Sequence, residues 1–527
     1  MVPTARPHMA SVLPMLARIR LPLLVFVAGG ATLAAELTGA RLLAPWFGAS
    51  NLVWANVIGL TLIYLSIGYW LGGKVADRYP TNRALGTTVI IAAASLAILP
   101  IALAPIFRAA QSAFADLSAG AFVASFAGTM LMFLVPITLL GMVAPWAIRL
   151  SVTTVETAGS VSGRLYAIST VGSILGTFLP VLVLIPAIGT RLTLILIAGI
   201  LALAAVPLIG MRAIAAPVVI LGLLALTTGA IKEAPGERVL FEDESPYQFV
   251  QVSETPTGQR ILRLNEGWAL HSVLPADRSP LTAGYWDAFA TLPFITGDEG
   301  GRLAILGNAG GSIARAYRML WPNVRVDGVE IDPVVSEAGA RYLDMNGPNL
   351  TVHEADARFW LAGDRGPFDV IVVDAYRQPY IPFHLATAEF FTQVFDRLTP
   401  TGVVAINVGT PPGDDQVVRA IGATMRTAFP AVMEARYEEF NSVLLGFRDP
   451  ARALGAKAAL AGASGPAASA AHTLGSLLHV VQPGGGQVFT DDRAPVEQMT
   501  DGAILDYLNR GTPGLSPRNR GETPATP

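Results

Sequence analysis

The first 231 residues are dominated by apolar stretches, each long enough to cross a lipid bilayer. An α-helix needs about 20 apolar residues to span the hydrocarbon core. Stretches of about this length occur at 21–43, 51–72, 84–107, 121–148, 165–188, 191–210 and 213–231. The first stretch is too long for the apolar part of a signal peptide, and further stretches follow it. This pattern predicts a transmembrane domain over 21–231 with about seven helices.

Charge is divided unevenly along the chain. Residues 1–231 contain four acidic residues and twelve lysines or arginines, whereas residues 232–527 contain 35 acidic and 24 basic residues. The first distribution excludes a wholly soluble protein and the second excludes a wholly membranous one. The second part has no basic stripe, which argues against nucleic acid as a partner. The chain has no cysteine, so disulfides, thiolate metal sites and a cysteine nucleophile are excluded.

Basic residues orient the helical part. Arg6, Arg18 and Arg20 lie in segment 1–20, and the loop 72–80 carries a lysine and an arginine. Basic loops favour the cytoplasmic side, so both segments are predicted to face the cytoplasm, with two crossings between them.

Glu36 is an acidic residue inside the first apolar stretch. An ionisable side chain in a bilayer is costly and is therefore a candidate for function. The alternative is that Glu36 pairs with Arg41 or with a polar group of another helix. The loop 72–80 also resembles the loop between helices two and three of major-facilitator transporters, which keeps a transport function open.

A soluble domain is predicted after residue 236. The alternating segments 247–253 and 259–264 predict a β-hairpin within a β-rich region, 236–300. From 301 to 510 strands alternate with helices, which is typical of a Rossmann-like α/β domain with a parallel sheet. The tail 511–527 is rich in Pro, Gly, Thr and Arg and is predicted to be disordered.

Candidate site residues follow four predicted strands. In open α/β sheets, ligands bind outside the carboxyl ends of the strands. A turn with Gly307, Asn308, Gly310 and Gly311 follows the strand at 302–306, and Glu330 follows the strand at 324–329. Asp356 comes after the strand at 350–353, and Asp374 directly follows the strand at 368–373.

These residue types indicate a nucleoside ligand. Glycines let the backbone approach a ligand closely, and the Glu330 carboxylate can accept two hydrogen bonds from a ribose diol. The alternatives are structural: Glu330 as an acid near a helix N-terminus, and Asp356 as an ordinary helix cap. The turn lacks the Gly-x-Gly-x-x-Gly spacing of dinucleotide enzymes and fits better the looser turn of adenosyl-sulfonium binders.

Five segments resemble the spermidine synthase (polyamine aminopropyltransferase) family. They are Leu-Gly-Asn-Ala-Gly-Gly, Val-Glu-Ile-Asp-Pro, Glu-Ala-Asp-Ala-Arg, Phe-Asp-Val-Ile-Val-Val-Asp-Ala and Gly-Tyr-Trp-Asp-Ala-Phe-Ala-Thr-Leu-Pro. The resemblance covers about 240–450. The helical N-terminal part and the closing segment 490–497 are similar to the membrane-fused branch of these proteins.

The resemblance implies transfer of an aminopropyl group from decarboxylated S-adenosylmethionine to an amine, with release of 5′-methylthioadenosine. Asp374 matches the family's catalytic aspartate, and Tyr285 matches a tyrosine beside the substrate. Glu330 would hold the ribose, Asp356 and Ala357 would hold the adenine, and the 307–311 turn would face the sulfonium. The resemblance also implies a homodimer.

The sequence departs from the family in the part that would hold the amines. Ala309 stands where the family has an aspartate for the donor's ammonium, and Arg377 stands where a second acceptor-binding aspartate is expected. The family's Asp-Gly-x-x-Gln strand is replaced by Asn265 to His271, without the glutamine. Arg377 would oppose a diamine unless it pairs with Glu389 or Asp287.

Other residues near the predicted site have two interpretations. Trp268 and Trp286 would wall the pocket or pack in the core. His271 and His384 would shuttle protons or simply make loop hydrogen bonds. No His, Asp or Glu cluster has zinc spacing, so no metal is predicted.

Three functions follow as hypotheses. The first is a membrane-anchored aminopropyltransferase acting on a small amine. The second is an S-adenosylmethionine-dependent methyl or alkyl transferase, which Ala309 and Arg377 favour. The third is a transporter or sensor whose soluble domain binds a nucleoside or polyamine without turnover. The lipid bilayer is a predicted partner, and the plasma (inner) membrane is the predicted location. An adenosyl-sulfonium donor is made in the cytoplasm, so the soluble domain is expected there. Seven crossings from a cytoplasmic N-terminus would instead put this domain outside, so the two expectations conflict.

Overall fold

The chain divides near residue 233 into two compact units. The computed structural model describes residues 12–47, 51–113, 120–226, 231–232, 236–265, 269–297, 300–376, 380–482 and 484–509. The predictions for the tail 511–527 and for Arg6 lie outside these residues, as do those for Trp268 and Arg377.

The first unit is helical. Its helices are α1 (Val12–Phe47), α2 (Asn51–Arg78), α3 (Asn82–Ala113), α4 (Gly120–Gly141), α5 (Val143–Ser151), α6 (Val155–Leu179), α7 (Ile185–Ile209) and α8 (Ala215–Gly222). A π-helical segment, Pro180–Leu184, joins α6 to α7, and 3₁₀ turns at Met211–Ile214 and Leu223–Leu226 flank α8.

Five helical stretches in the described part of this unit are long and apolar enough to cross a membrane. They are Ile19–Trp46, Val53–Arg78, Asn82–Ala102, Met130–Ser151 and Val155–Ile209. The last stretch contains 55 residues and is interrupted at Gly189, whose φ of 75° and ψ of 167° are not helical. It includes both predicted segments 165–188 and 191–210, and the segment from Met211 to Ala225 forms a shorter apolar helix. The number of crossings remains a prediction.

Glycines bring α1 and α6 into backbone contact. A Cβ atom at Gly172 would lie 2.0 Å from the carbonyl oxygen of Phe26, and one at Gly176 would lie 2.0 Å from that of Gly30. Small residues that allow this approach are typical of helix pairs packed in membranes. Large apolar side chains on the same unit are exposed, for example Leu131 at 63% and Leu182 at 68%.

The second unit begins with a four-stranded sheet of β1 (Arg238–Glu244), β2 (Phe249–Glu254), β3 (Arg260–Leu264) and β4 (Ser272–Leu274), in that order. Strands β2 and β3 are antiparallel, with Val252 opposite Leu262. Gly258, with a φ of 85°, donates its N–H to the carbonyl of Thr255 in the connecting turn. The predicted hairpin is therefore confirmed.

An eight-stranded sheet forms the centre of this unit. Its strands are β5 (Arg302–Leu306), β6 (Arg325–Glu330), β7 (Leu350–Glu354), β8 (Phe368–Val373), β9 (Leu398–Gly409), β10 (Ala431–Glu438), β11 (Asn441–Phe447) and β12 (His479–Val480). The helices are α9 (Trp286–Ala290), α10 (Leu292–Thr296), α11 (Ser312–Leu320), α12 (Pro333–Tyr342), α13 (Ala357–Ala362), α14 (Ala388–Arg397), α15 (Gln416–Met425), α16 (Pro450–Ala461), α17 (Ala468–Leu477) and α18 (Val496–Asn509).

The strand order is β12-β10-β11-β9-β8-β5-β6-β7. Strands β5 to β9 pair in parallel, whereas β11 is antiparallel to both β9 and β10. Two apolar cores lie against this sheet, so the sheet is covered on both faces, as predicted for a Rossmann-like domain. The chain leaves β5 towards β6 and later returns beside β5 as β8, which creates a topological switch point between β5 and β8.

Candidate active site

The switch point brings the turn after β5 against the end of β8. Asp374 donates its backbone N–H to the carbonyl of Leu306 at 2.8 Å. Gly307 has a φ of 93°, and a Cβ atom there would lie 2.5 Å from both the carbonyl oxygen of Asp374 and the backbone of Ala375. Only glycine fits this approach, so Gly307 holds the two strand ends together.

The N–H groups of the glycine-rich turn are all used inside the protein. The bonds, each 2.9 Å long, run from Gly307 and Asn308 to the carbonyl of Val329, from Ala309 to Glu330 Oε2, from Gly310 to Ser272 Oγ, and from Gly311 to the carbonyl of Asn308. The turn therefore provides a shaped surface and carbonyl oxygens for a ligand, rather than the free donors of a phosphate-binding loop.

Asn308 and Ala309 form the centre of this turn. Asn308 is buried, with its Nδ2 3.2 Å from Met345 Sδ, and its Oδ1 has no hydrogen-bond partner among the described residues. Ala309 has a φ of 46°, a left-handed conformation that is uncommon for a residue with a Cβ atom.

Glu330 ends β6 and is 8% exposed. Its Oε2 accepts from Ala309 N, and its Oε1 accepts from Asp332 N at 3.1 Å. Burial raises the pKa of this carboxyl to about 7, against the opposing effect of these hydrogen bonds. The carboxylate is thus oriented by the turn itself, beside the switch point.

Asp356 is the N-cap of α13. Its Oδ1 accepts from the N–H groups of Arg358 and Phe359 at 2.9 and 3.0 Å, so the capping interpretation is correct for that oxygen. Its Oδ2 lies 3.3 Å from His384 Nε2. Ala357 is the first residue of α13 and is buried. His384 therefore contacts the carboxylate predicted for adenine.

Asp374 follows β8 and accepts hydrogen bonds from two distant parts of the chain. Tyr285 Oη lies 3.1 Å from Oδ1 and 3.0 Å from Oδ2, and Asn407 Nδ2 donates to Oδ1 at 3.2 Å. Burial raises the pKa of Asp374 to about 7, although these two donors and the nearby Trp286 side chain favour the charged form.

Burial and the neighbouring Asp374 raise the pKa of the Tyr285 phenol well above its ordinary value. Tyr285 therefore remains a proton donor across the physiological pH range. Its ring packs 4.5 Å from that of Trp286 and 6.0 Å from that of Phe289, between centroids.

Trp286 and Asp287 have different positions. Trp286 is 6% exposed and packs in the core, which confirms the core interpretation, whereas its role as a pocket wall stays a prediction. Asp287 accepts from Thr282 N, Thr282 Oγ1 and Ala283 N at 2.8, 3.0 and 2.9 Å. Both Asp287 oxygens thus hold the loop before α9.

Three residues near the site were not predicted from the sequence. Asn407 is 3% exposed at the end of β9, and Tyr376 donates to its carbonyl at 3.0 Å. Glu438, at the end of β10, accepts from Asn441 Nδ2 at 3.0 Å, and the nearby backbone of Tyr285 favours its charged form. Asn407 could have been found from the sequence, because it is a polar residue at the end of an apolar strand. No feature of the sequence pointed to Glu438.

Glu36, His271 and Arg377 were also predicted as functional or site residues. Glu36 is half-buried on α1 of the first unit. His271 Nε2 is buried and has no partner among the described residues, and burial lowers the pKa of His271 to about 4. His271 is therefore neutral near pH 7. Arg377 lies outside the described residues, so its pairing with Glu389 or Asp287 stays a prediction.

No family model matches the chain. A stretch of 190 residues, 36% of this chain, is 33% identical to a probable polyamine aminopropyl transferase of Bifidobacterium longum (strain NCC 2705) and covers 42% of that protein. A stretch of 110 residues is 41% identical to a polyamine aminopropyltransferase of Vibrio vulnificus (strain CMCP6), covering 20% of this chain and 37% of that protein.

Among solved structures, a probable spermidine synthase from Corynebacterium glutamicum ATCC 13032 aligns with a TM-score of 0.38 and 20% identity. The alignment covers 48% of this chain and 96% of that structure.

The doubly wound sheet, with a glycine-rich turn and acids at the strand ends, defines a Rossmann-like α/β fold. The second unit is similar in sequence to polyamine aminopropyltransferases over 110 to 190 residues. The chain spans less than half the length of these two relatives.

Proposed function

We propose that the protein is a membrane-anchored aminopropyltransferase that uses decarboxylated S-adenosylmethionine and a small amine. The observation that carries this proposal is the Asp374 carboxylate, which is placed at the switch point, hydrogen-bonded to Tyr285 and Asn407, and has a pKa raised to about 7. A base with this pKa is better matched to removing an amine proton near neutral pH than an ordinary aspartate.

The reaction is a substitution at carbon. The lone pair of the acceptor amine forms a C–N bond to the aminopropyl methylene carbon next to the sulfonium. The C–S bond breaks, and its electron pair stays on sulfur, which gives the neutral thioether 5′-methylthioadenosine. The amine's proton passes to Asp374 and then to solvent. Tyr285 and Asn407 orient the carboxylate for this transfer, and positioning of the two reactants supplies much of the acceleration.

The nucleoside would bind across the neighbouring strand ends. Glu330, already held by the N–H groups of Ala309 and Asp332, would accept hydrogen bonds from the ribose hydroxyls. Asp356 Oδ2 and the backbone of Ala357 would receive the adenine edge, with His384 alongside.

The soluble unit is proposed to face the cytoplasm. Gly189 divides Val155–Ile209 into two arms, each long enough to cross a bilayer. Counting these arms separately gives six crossings among the described residues, an even number. An even number supports a soluble unit on the same side as the basic N-terminal segment, where the donor is made.

Because the chain lacks cysteine, single introduced cysteines test this orientation directly. Leu454→Cys, on an 88% exposed side chain of the soluble unit, should react with a membrane-impermeant maleimide only after cells are permeabilised. Ser50→Cys, between α1 and α2, should react in intact cells. Labelling of Leu454→Cys in intact cells would place the soluble unit outside.

A methyl or alkyl transfer from S-adenosylmethionine is the second candidate. The observation that favours it is Ala309, which removes a carboxylate for the donor's ammonium from the centre of the glycine-rich turn. The two donors give different products, so one assay separates the candidates.

The test uses detergent-purified full-length protein and its Asp374→Asn variant. Each is incubated with decarboxylated S-adenosylmethionine or S-adenosylmethionine, plus putrescine or spermidine. Mass spectrometry then quantifies 5′-methylthioadenosine and S-adenosylhomocysteine. Amine-dependent methylthioadenosine that disappears in the variant is the expected result. Formation of S-adenosylhomocysteine alone would establish the second candidate. If neither product forms, both candidate reactions are contradicted for these acceptors.

A further inference from the structure

We propose that Asp491, in the closing segment 490–497, is a positioning residue that sets the preference of the nucleoside site for adenine. It acts through Arg358 and His384, which lie on either side of the Asp356 carboxylate. This inference rests on the proposed function, in which Asp356 Oδ2 receives the adenine edge. It adds a determinant of base selectivity from a distant part of the chain.

Asp356 has one oxygen to offer a ligand. Its Oδ1 caps α13 by accepting from the N–H groups of Arg358 and Phe359, whereas its Oδ2 lies 3.3 Å from His384 Nε2. A carboxylate oxygen has two lone pairs, so Oδ2 can accept from His384 and from the exocyclic amine of adenine at the same time. The position of His384 therefore decides how Oδ2 is presented to a base.

His384 reaches Asp356 from a different part of the sheet. It lies in the loop after β8, and Asp356 follows β7, whereas β5 and β6 lie between these two strands. The carbonyl of His384 accepts from Arg358 Nη1 at 3.0 Å. Arg358 thus ties this loop to the first turn of α13, beside Asp356.

Asp491 holds Arg358 and also the end of the same loop. Its Oδ1 accepts from Nη1 of the guanidinium and its Oδ2 from Nη2, each at 2.7 Å, across 133 positions of sequence. Its Oδ1 also accepts from Thr387 Oγ1 at 2.7 Å, and Thr387 is the N-cap of α14. Bidentate pairs of arginine and carboxylate are strong and directional. Arg358 keeps the pKa of Asp491 below its ordinary value, so the pair is charged at neutral pH.

The segment that carries Asp491 is anchored in the domain. Phe489 is fully buried; its N–H donates to Thr424 Oγ1 at 3.0 Å, and its carbonyl accepts from Ala388 N at 2.9 Å. The Asp491 N–H donates to Glu389 Oε2 at 3.1 Å. These contacts give the Asp491 carboxylate a fixed position beside α13 and α14.

Loss of the Asp491 charge would release the Arg358 guanidinium. Glu389 and Asp356 are the other carboxylates that interact with it, so a released guanidinium would move towards them. A contact with Asp356 Oδ2 would compete with the adenine amine, since the helix cap already uses Oδ1. Asp491 therefore keeps the base-binding oxygen available.

The test measures nucleoside binding to detergent-purified full-length protein by titration calorimetry, without turnover. The probes are 5′-methylthioadenosine, which has an amine at position 6 of the base, and 5′-methylthioinosine, which has a carbonyl oxygen there. The wild type should prefer methylthioadenosine, because the Asp356 carboxylate accepts from the amine and repels the oxygen. In Asp491→Asn the affinity for methylthioadenosine should fall about tenfold, the effect of one charged hydrogen bond, whereas that for methylthioinosine should change by less than about threefold.

Two further variants act as controls. Asp492→Asn removes the same charge from the exposed neighbouring residue and should resemble the wild type. Asp491→Glu keeps the charge and should recover part of the preference for methylthioadenosine. The ratio of the two affinities is the decisive readout, because partial unfolding lowers both affinities alike.

Equal loss of affinity for the two nucleosides in Asp491→Asn, or no loss for either, would overturn the role of Asp491 and leave the nucleoside site intact. Failure of the wild type to bind methylthioadenosine would contradict the nucleoside site and this inference with it. Absence of transferase activity from protein that binds selectively contradicts only the proposed reaction.

Discussion

The Tyr285 phenol lies 3.0 and 3.1 Å from the two carboxylate oxygens of Asp374, although 89 positions separate the residues. The phenol keeps its proton because burial and the adjacent carboxylate raise its pKa. Tyr285 is therefore a fixed donor that favours the charged form of Asp374, and it limits how far burial can raise the pKa of that acid.

Removal of this donor should move the pH dependence of turnover. In Tyr285→Phe, the pKa of Asp374 should rise further, so the acid limb of kcat/KM shifts upward by about one pH unit and activity at pH 7 falls about fivefold. Activity should recover towards the wild-type value at pH 9. Measured pH–rate profiles of both proteins check this, and an unshifted acid limb would show that Tyr285 does not tune Asp374.

Asp374→Asn should lower the activity and raise the stability of the folded protein above neutral pH. The pKa of Asp374 is about 7 in the folded chain, above its ordinary 3.8, so the folded state retains a proton that the unfolded chain loses between these values. The wild type therefore loses stability as pH rises from about 4 to about 7. A shift of about three units corresponds to about 4 kcal/mol, and partial solvent contact reduces this to about 2 kcal/mol.

At pH 8 the Asn variant should therefore resist denaturation better than the wild type, and at pH 4 the difference should vanish. Methylthioadenosine formation should fall ~10²–10⁴-fold, the range for loss of a general base. Denaturant titrations of the detergent-solubilised proteins at both pH values test the first statement. Equal stability of the two proteins at pH 8 would mean that ionisation of the buried Asp374 carboxyl does not destabilise the folded state.

Two acids should control the acid limb of kcat/KM for the donor. Asp374 and Glu330 both have pKa values raised to about 7 by burial, and both need to be ionised for binding and proton transfer. Below about pH 6, log kcat/KM should therefore fall with a slope approaching two. Glu330→Gln should reduce the slope to one. A slope of one in the wild type would exclude one of the two acids.

Glu330→Gln should weaken the donor without changing the chemical step. Loss of two charged hydrogen bonds to the ribose should raise the donor KM about 10- to 100-fold, while kcat stays within a factor of about three because the reacting atoms do not touch this residue. Glu337→Gln, on the exposed face of α12, is the matched control. A fall in kcat with an unchanged donor KM would argue against ribose binding.

The helical unit can be tested through its glycine contacts. Gly176→Val should lower the thermal stability of the detergent-solubilised protein, since a Cβ atom there would lie 2.0 Å from the carbonyl of Gly30. Gly163→Val on the same helix meets open space and should leave stability nearly unchanged. Fluorescence-detected thermal melts compare the two variants, and equal melting temperatures would exclude close packing of α1 against α6.

Much of the catalytic fold could be predicted because its signals are local. The apolar strands ending at Leu306 and Val373 were predicted with the boundaries that the structure has, since a buried strand is recognisable from its own residues. Glu330 and Asp374 followed as site residues, because the ends of parallel strands meet at one edge. Neither inference needed to know which strands are neighbours.

The sequence alone therefore determined the helical first part, the α/β second part and the acids at the strand ends. The tertiary structure decided that β8 returns beside β5, which brings Gly307 against Asp374. It also decided that Tyr285 and Asn407 meet there and that one oxygen of Asp356 caps a helix. Hydrophobic periodicity is carried by each segment separately, whereas strand order and contacts between distant side chains depend on how the whole sheet packs.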